Sequence, residues 1–181
     1  MRCTSPEDIL YIADTRRTGR GLYSRRAFKG GELVFAMEGE MRHYISRTVE
    51  DAFRFENWLV IGKDLFLDPA APYVYANHSC EPNLGIRDAL DFVALRDIAP
   101  NEQLTYDYSL TTDELPWMMT CNCGLPYCRG SVRSIQYLPE DIYRRYLPYV
   151  GRYVQDVYAA ANAARQLVMV SLMARSRPVR S

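Results

Sequence analysis

Three cysteines fall within the short stretch TCNCGLPYCRG, residues 120–130. The thiolates of Cys121, Cys123 and Cys128 are close enough along the chain to bind one metal ion, and a glycine and a proline between them favour a turn. A structural zinc site takes four protein ligands in a tetrahedron, so the fourth ligand must come from elsewhere. Such a site ties two distant segments together and therefore constrains the fold strongly.

The remaining cysteines and the two histidines are the candidates for the fourth ligand, and they are Cys3, Cys80, His43 and His78. Five cysteines is an odd number, and their spacing is not that of a disulfide framework. The chain opens without a charged-then-apolar signal segment. We therefore expect a reduced compartment, in which clustered cysteines favour metal binding over disulfides.

The composition is that of an ordinary globular protein. The 181 residues suffice for one domain with a sizeable core, and 22 basic side chains balance 22 acidic ones. Because the formal net charge is zero, we expect no direct binding of nucleic acid. Only Lys29 and Lys63 are lysines. A coding bias toward arginine explains this scarcity, and avoidance of self-modification by a lysine-directed enzyme is the alternative.

Short strands are predicted over the first two thirds of the chain. Four runs are rich in β-branched and aromatic residues and are bounded by turn residues: ELVFAMEG (32–39), NWLVIG (57–62), LFLD (65–68) and DFVALRDI (91–98). GKD at 62–64 predicts a hairpin turn, and GG at 30–31 predicts a turn before ELV. Asn101 tolerates the positive φ that usually selects glycine, so PN at 100–101 predicts another turn.

Helices are predicted in two regions. One covers roughly residues 46–56, with Ser46 as its cap, and another begins at PED 139–141 and is interrupted by Pro148. Beyond that proline, apolar residues recur at helical spacing: Val150, Tyr153, Val154, Val157, Tyr158, Ala161, Leu167, Val168 and Leu172. We expect the stretch 159–174 to pack against the strands, with a homodimer interface as the alternative. It is too short and too polar to span a bilayer, so no membrane partner is expected.

Four segments occur in a fixed order: TGRGLYSRRAFKGGELVFAMEGE (18–40), YANHSCEPNLG (75–85), DIAPNEQLTYDY (97–108) and CNCGLPYCRG (121–130). Together they resemble the SET-domain protein lysine methyltransferases that carry a post-SET zinc motif, over about residues 9–135. The chain is also similar to compact, free-standing bacterial members. The resemblance implies a mainly β fold, the β-clip SET fold, with small antiparallel sheets around a pseudoknot and C-terminal helices.

The resemblance also implies a division of the chain. We expect an N-terminal arm over 1–15, a SET domain over 9–110, a post-SET zinc segment over 117–133 and a C-terminal helical extension over 138–175. In the family the post-SET cysteines share one structural zinc ion with the cysteine of the NHSC segment. The implied ligands are therefore Cys80, Cys121, Cys123 and Cys128.

A binding site for S-adenosylmethionine is implied as well. The residues implied at this cofactor are Gly19, Arg20, Gly21, Trp58, Asn77, His78 and Asn122. Glycines in GRG, which we expect to open the first strand of the domain, let the backbone approach the methionine part of the cofactor closely. Arg20 is expected to reach the carboxylate or the ribose. Trp58 matches an aromatic of the cofactor site by its distance from Asp68, and a core role is the alternative.

Two tyrosines of LTYDY are implied in the reaction. Tyr108 falls on the position of the family's catalytic tyrosine. Tyr106 falls on a position that the family fills with tyrosine or phenylalanine. A tyrosine there leaves less room for an already methylated amine, so we expect a preference for monomethylation.

The implied function is an S-adenosylmethionine-dependent protein-lysine N-methyltransferase that acts on an exposed segment of a histone, a histone-like protein or another protein, including a DNA-associated one. A catalytically idle SET fold that serves as a binding module is one alternative. A zinc-ribbon nucleic-acid binder is another, which the charge balance disfavours. We expect a cytoplasmic protein, with the nucleus or chromosome, including a host nucleus, as the alternative.

Two positions depart from the family pattern. Val74 stands where the family usually carries an arginine, and Asn101 replaces the glycine of a turn. We expect the local support of the knot, and the contacts to the substrate, to differ accordingly.

Overall fold

The computed structural model of the protein describes residues 6–44, 57–113 and 116–175. Cys3 and the helix predicted over 46–56 lie outside the described residues. The described strands are β1 Leu10–Asp14, β2 Arg20–Ser24, β3 Leu33–Ala36, β4 Gly39–His43, β5 Leu59–Gly62, β6 Leu65–Pro69, β7 Asn77–His78, β8 Leu84–Arg87, β9 Asp91–Ala94, β10 Thr105–Tyr106, β11 Met118–Thr120 and β12 Ser131–Arg133. The helices are α1 Pro6–Ile9, α2 Glu140–Tyr146 and α3 Arg152–Arg175, with 3₁₀ turns at Tyr73–Tyr75, Tyr108–Thr111 and Ile135–Tyr137.

The strands form several small sheets. Two are antiparallel pairs, β1 with β2 and β11 with β12, and two are three-stranded antiparallel sheets in the orders β3-β9-β8 and β4-β6-β5. The fifth is a short parallel pair of β7 with β10. Small antiparallel sheets followed by C-terminal helices confirm the predicted fold class.

The predicted turns form where residues with positive φ are available. Asp64 (φ 56°) closes the hairpin between β5 and β6, and Gly31 (φ 83°) lies in the turn before β3. Asn101 adopts φ 63°, and its backbone N–H donates to the carbonyl oxygen of Ser24 at 2.7 Å. The GRG segment opens β2, so the prediction that it opens the first strand is wrong, because β1 precedes it.

The main core lies between the β3-β9-β8 sheet and its neighbours. Phe92 and Leu84 are fully buried, and Phe35 stacks on Phe92 with ring centroids 5.0 Å apart. Burial of a side chain of this size stabilises the fold by about 2 kcal/mol. The sheet therefore provides a firm base for the loops that carry the motifs.

The C-terminal helices pack against this body only in part. Helix α2 ends at Tyr146, before Pro148 as predicted, and the N–H of Ile86 donates to the carbonyl oxygen of Tyr149 at 3.0 Å. In α3, Val154 and Tyr158 are buried. The second half differs, because every residue over 163–169 is exposed.

The prediction that the stretch 159–174 packs against the strands is therefore wrong for residues 163–169. Leu167 is 72% and Val168 58% exposed, because the contacts of α3 to β5 and to the Ile135–Tyr137 turn leave this part of the helix uncovered. Among the described residues, no helix has the length and apolar character that crossing a membrane requires.

Candidate active site and metal centre

The parallel pair of β7 and β10 brings two of the sequence motifs together. Thr105 lies opposite Asn77, and Tyr106 lies opposite His78. The N–H of Ser79 also donates to the carbonyl oxygen of Tyr106 at 3.1 Å. Parallel strands need a long connection between them, so this contact joins NHSC to YDY across the whole β8–β9 hairpin.

Cavities of very different size adjoin this strand pair. Thr105 lines a cavity of about 460 Å³, and the next residue, Tyr106, lines a narrow cavity of about 20 Å³. The two cavities lie on different sides of β10 because successive side chains of a strand point to opposite faces. Asn77 and His78 line the large cavity together with Asn122 of the cysteine loop. Its volume is within the range of sites for small molecules and cofactors.

Gly21 allows three residues of the large cavity to pack closely against the backbone of β2. A Cβ at this position would lie 2.6 Å from Nε2 of Gln103, 2.7 Å from Cγ2 of Thr15 and 3.2 Å from Nδ2 of Asn77. All three of these neighbours line the cavity. Gly19 adopts φ 70°, which favours glycine at the turn before β2.

Arg20 and Trp58 lie differently from the other predicted cofactor residues. The guanidinium of Arg20 is 4.3 Å from the centroid of the Tyr75 ring, and its backbone carbonyl accepts a hydrogen bond from Nδ2 of Asn77 at 2.9 Å. Trp58 lines the narrow cavity and packs on Phe66, with ring centroids 6.0 Å apart. The structure thus groups Trp58 with the tyrosines of YDY.

Tyr106 and Tyr108 form the inner wall of the narrow cavity. Their ring centroids are 4.8 Å apart, and Tyr106 makes an edge-on contact to Phe92 at 5.1 Å. The hydroxyl of Tyr108 donates to the carbonyl oxygen of Ala76 at 3.1 Å. Met37 and further aromatic side chains line part of the remaining wall, and an asparagine and two threonines add polar groups. The cavity is therefore narrow, with a mixed aromatic and polar lining.

Burial changes the acidity of both tyrosines. It raises the pKa of Tyr108 to about 12, although a hydrogen bond from the backbone of His78 to the Tyr108 hydroxyl acts in the opposite direction. Burial raises the pKa of Tyr106 well above its usual value, and the neighbouring Tyr108 adds to this effect. Both hydroxyls therefore stay protonated near neutral pH and can donate hydrogen bonds, but they cannot act as bases.

His78 connects the YDY segment to the cysteine cluster. Its Nδ1 accepts a hydrogen bond from the N–H of Tyr108 at 3.3 Å, and its Nε2 lies 3.5 Å from Sγ of Cys80. Burial lowers the pKa of His78 to about 4, even though nearby Asp107 raises it, so the imidazole is neutral at neutral pH. Because Nδ1 is an acceptor, the ring proton is on Nε2, which faces the sulfur.

The four predicted zinc ligands lie together. The Sγ atoms of Cys80, Cys121, Cys123 and Cys128 are all within 4.8 Å of one another. A tetrahedral zinc site with Zn–S bonds of about 2.3 Å places its sulfurs about 3.8 Å apart. The separation of Sγ of Cys80 and Cys121 is 3.6 Å, which is close to this value, so the four cysteines could hold one zinc ion.

The acidity of these thiols also fits a bound cation. Burial raises the pKa of Cys121 and of Cys80. Burial acts in the same direction on Cys123, but backbone N–H groups near its sulfur lower its pKa to about 7. Several thiolates at such short range repel one another, and a divalent cation removes that cost by holding the coordinating thiols deprotonated.

Sequence reasoning missed Trp117 and Asp107. Trp117 is buried, lines the narrow cavity and packs against Cys121 and Val132. Its position four residues before the first cysteine of the loop was the available signal. Asp107 lies between the two tyrosines in the sequence and is fully buried. A buried carboxylate requires hydrogen-bond partners, and no local sequence pattern reveals which residues those are.

Comparisons with known proteins find a matching family, several relatives and a solved structure of similar fold. The family profile described as SET domain matches residues 19–109. The histone-lysine N-methyltransferase trithorax of Drosophila virilis is 33% identical over 142 residues, which cover 68% of this chain and 4% of that protein. Histone-lysine N-methyltransferase TRX1 of Oryza sativa subsp. japonica is 28% identical over 145 residues, covering 70% of this chain and 14% of that protein.

Histone-lysine N-methyltransferase 2B of Homo sapiens is 29% identical over 129 residues, covering 61% of this chain and 5% of that protein. The chain thus spans at most 14% of the length of these three relatives. Among solved structures, KRYPTONITE in complex with mCHH DNA, an H3(1-15) peptide and SAH matches with a TM-score of 0.54 and 23% identity, over 68% of this chain and 29% of the other. That likeness concerns the fold.

Proposed function

Because this chain belongs to the SET-domain family, we propose that it is an S-adenosylmethionine-dependent protein-lysine N-methyltransferase. The observation that carries the proposal is the pair of cavities at the β7–β10 strands. The large cavity has the size of a cofactor site, and the narrow one holds Tyr106 and Tyr108. A transfer reaction in which the donor and the acceptor enter from opposite faces needs two adjoining cavities, so that the reacting groups can meet.

The residues of the narrow cavity suit a lysine amine. When bound, the cofactor would supply a methyl group on a positively charged sulfonium sulfur, and the sulfur–methyl bond would break to release a neutral thioether. A lysine has a pKa of about 10.4 in water, so its amine must lose a proton before it attacks the methyl carbon. The narrow, aromatic-rich cavity restricts water and so favours the neutral amine, and the protonated tyrosine hydroxyls orient it. Solvent, and not a tyrosine, takes the proton.

The large cavity provides groups for recognition of the cofactor. Asn77 and Asn122 offer both hydrogen-bond donors and acceptors, and the backbone groups of His78 add to them. Gly21 keeps the wall free of a side chain. We assign these groups to the methionine and adenine ends of S-adenosylmethionine. For Arg20 the proposed contact requires its guanidinium to leave the ring of Tyr75.

Monomethyl-lysine is the product that we propose. The narrow cavity has a volume of about 20 Å³, which accommodates about one water-sized group. The side chain of Tyr106 occupies space that a second methyl group on the amine would need. The proposed substrate is a lysine in an exposed segment of a histone or another DNA-associated protein, and the names of the relatives support the histone.

A structural zinc ion in the cysteine cluster completes the proposal. Residues 121–128 have few apolar side chains of their own, and four thiolate ligands would hold them against the segment around Cys80. Asn122 lies between two of the ligands and lines the large cavity. The metal would thus keep the loop in place at the cofactor, without taking part in the transfer.

Intact-mass spectrometry tests the proposed function. A panel of histones and bacterial DNA-associated proteins is incubated with S-adenosylmethionine and either the wild type or Tyr108→Phe. We expect a gain of one methyl group with the wild type and a loss of activity of about a hundredfold in the variant, because the amine loses the hydroxyl that orients it. Tyr137→Phe is the matched control, because Tyr137 is half-exposed in the Ile135–Tyr137 turn and does not line either cavity.

The possible results distinguish the proposal from its alternative. If the wild type binds S-adenosylmethionine in calorimetry but methylates no member of the panel, the idle binding module is favoured. If it does not bind the cofactor at all, the proposal is wrong.

A further inference from the structure

Asp107 holds three different parts of the chain together. Its Oδ1 accepts hydrogen bonds from Nη2 of Arg129 at 2.7 Å and from the N–H of Ser109 at 3.1 Å. Its Oδ2 accepts one from the hydroxyl of Tyr146 at 3.2 Å. A fully buried carboxylate depends on such partners, because an unpaired charge in the interior is very costly. The partners belong to the 3₁₀ turn after β10, the cysteine loop and helix α2.

Tyr146 is the partner that the sequence motifs do not include. It is the last residue of α2 and lies beyond the region that matches the SET-domain profile. The side chain is buried, and burial together with the neighbouring carboxylate of Asp107 raises its pKa far above the usual value. The hydroxyl is therefore a permanent donor to Oδ2 of Asp107.

The position of Asp107 determines the position of Tyr108. The two residues share a peptide bond, whose N–H donates to Nδ1 of His78 at 3.3 Å. Beyond it, the hydroxyl of Tyr108 donates to the carbonyl oxygen of Ala76 at 3.1 Å. If the side chain of Asp107 rotates toward another partner, the peptide between Asp107 and Tyr108 moves with it. A shift of a few tenths of an ångström at Cα of Tyr108 then displaces the hydroxyl end of its ring.

We propose that Tyr146 is a positioning residue for methyl transfer: its hydroxyl fixes Asp107 and thereby holds Tyr108 in the narrow cavity. The inference rests on the proposed methyltransferase function and extends it to the C-terminal helices. It gives residues 139–146 a role in the reaction, although none of their side chains lines either cavity.

A purely structural role for the Tyr146 hydroxyl is the competing explanation, and Tyr158 provides the matched control. Tyr158 is equally buried in the same C-terminal region, and its hydroxyl donates to the carbonyl oxygen of Leu138 at 3.2 Å. Tyr146→Phe and Tyr158→Phe each remove one buried hydroxyl and keep the ring. Thermal unfolding of both variants checks that each is folded and measures its loss of stability.

Steady-state kinetics separates the two roles. In Tyr146→Phe we expect kcat to fall about fivefold, while KM for the cofactor and for the peptide changes by less than about twofold. In Tyr158→Phe we expect the kcat of the wild type. Equal kcat values in the two variants would overturn the proposal.

Amide hydrogen exchange gives a readout that does not need an active enzyme. Exchange at the N–H of Tyr108 and of Ser109 is followed by NMR in both variants. We expect it to be about fivefold faster in Tyr146→Phe than in Tyr158→Phe, because both N–H groups depend on the position of Asp107. Unchanged protection overturns the positioning role. An inactive wild type with the expected difference in exchange would instead contradict only the proposed function.

Discussion

Tyr106 and Tyr108 have the same side chain, but their surroundings give them different tasks. The hydroxyl of Tyr108 is bound to the carbonyl oxygen of Ala76, which fixes it at the wall of the narrow cavity. The ring of Tyr106 lies against Phe92, and its hydroxyl is buried. Tyr108 is therefore suited to orient the amine, and Tyr106 to limit the space around it.

The Tyr106→Phe variant tests the space-limiting role. Removal of the hydroxyl enlarges the narrow cavity by about one oxygen atom, so a methylated amine gains room to bind again. We expect the dimethyl fraction of the product to rise several-fold, with total activity within about threefold of the wild type. Intact-mass spectrometry of the substrate over a time course measures this distribution. A product pattern identical to that of the wild type would contradict the assignment.

The acidity of Tyr108 leads to a prediction for pH dependence. Its pKa is raised to about 12, so its hydroxyl keeps its proton over the working range. The neutral fraction of a free lysine increases about tenfold per pH unit below its pKa of about 10.4. We therefore expect kcat/KM to rise from pH 7 to about pH 9 without a descending limb. A fall in kcat/KM below pH 9, in protein that circular dichroism shows to be folded, would mean that Tyr108 or another group of lower pKa loses an essential proton.

For single residues, the sequence predicts a role in the site only where the residue belongs to a compact motif. Spacing identifies Cys121, Cys123 and Cys128, whereas Cys80 and Tyr108 are implied by the family resemblance. The structure brings the four cysteines together and places Tyr108 beside Tyr106. Tyr146 is 39 positions away from Asp107, and nothing in its local pattern distinguishes it from the other tyrosines. Trp58 was assigned by its distance from Asp68 along the chain, a measure that does not specify which cavity a side chain faces.

The cysteine loop is the element whose geometry depends most on a bound ion. Cys80 lies before β8, whereas the other three thiols lie between β11 and β12, so one site closes a long segment of chain. Within the loop, the N–H of Cys121 donates to the carbonyl oxygen of Gly130 at 2.9 Å, which holds its two ends together. Zinc would then fix the loop to the NHSC segment.

Serine substitutions test this arrangement. We expect about one zinc per chain in the wild type by elemental mass spectrometry, and nearly none in Cys80→Ser or Cys123→Ser, since three thiolates bind the ion much more weakly than four. Cys3→Ser is the matched control, because Cys3 is the one cysteine of the sequence that is not among the four implied ligands. Retention of full zinc in Cys80→Ser, or its loss in Cys3→Ser, would contradict the assignment of the fourth ligand.

The boundaries of the strands show what local patterns cannot specify. The run ELVFAMEG was predicted as one strand, but β3 ends at Ala36 and β4 begins at Gly39. A Cβ at Gly39 would lie 2.1 Å from the carbonyl oxygen of Asp68, so the two backbones meet there at very close range. That contact belongs to the pairing of β4 with β6, which is decided by the tertiary fold.

At the scale of the whole molecule, helix α3 shows that helical periodicity predicts a helix but not how much of it packs against the rest of the protein. The apolar spacing predicted both a helix and a covered face, but a pattern does not reveal how far the body of the protein extends. Tyr158 is buried at the point where the helix meets the body. Further along, Arg165 donates to the carbonyl oxygen of Gln136, and beyond it Leu167 is exposed.

A chain that ends at Gln166 tests this description of α3. The removed part includes Leu167, Val168 and Met169, which are all more than half exposed, so these three side chains contribute few native contacts. We expect the melting temperature to change by less than about 2 °C, because exposed positions contribute little to stability. Val154→Ala is the control within the covered half. It should cost about 2 kcal/mol, or several degrees, because Val154 is buried.

Sedimentation velocity of the same two chains tests the homodimer interface, which is the alternative for this helix. Three large apolar side chains at consecutive exposed positions are the surface that a second copy would bury. If the dimer forms there, the full chain associates at micromolar concentration and the chain ending at Gln166 does not. The same molecular mass for both chains would contradict an interface in this half of α3. A drop in melting temperature of the shortened chain would then mean that residues beyond Gln166 stabilise the monomer itself.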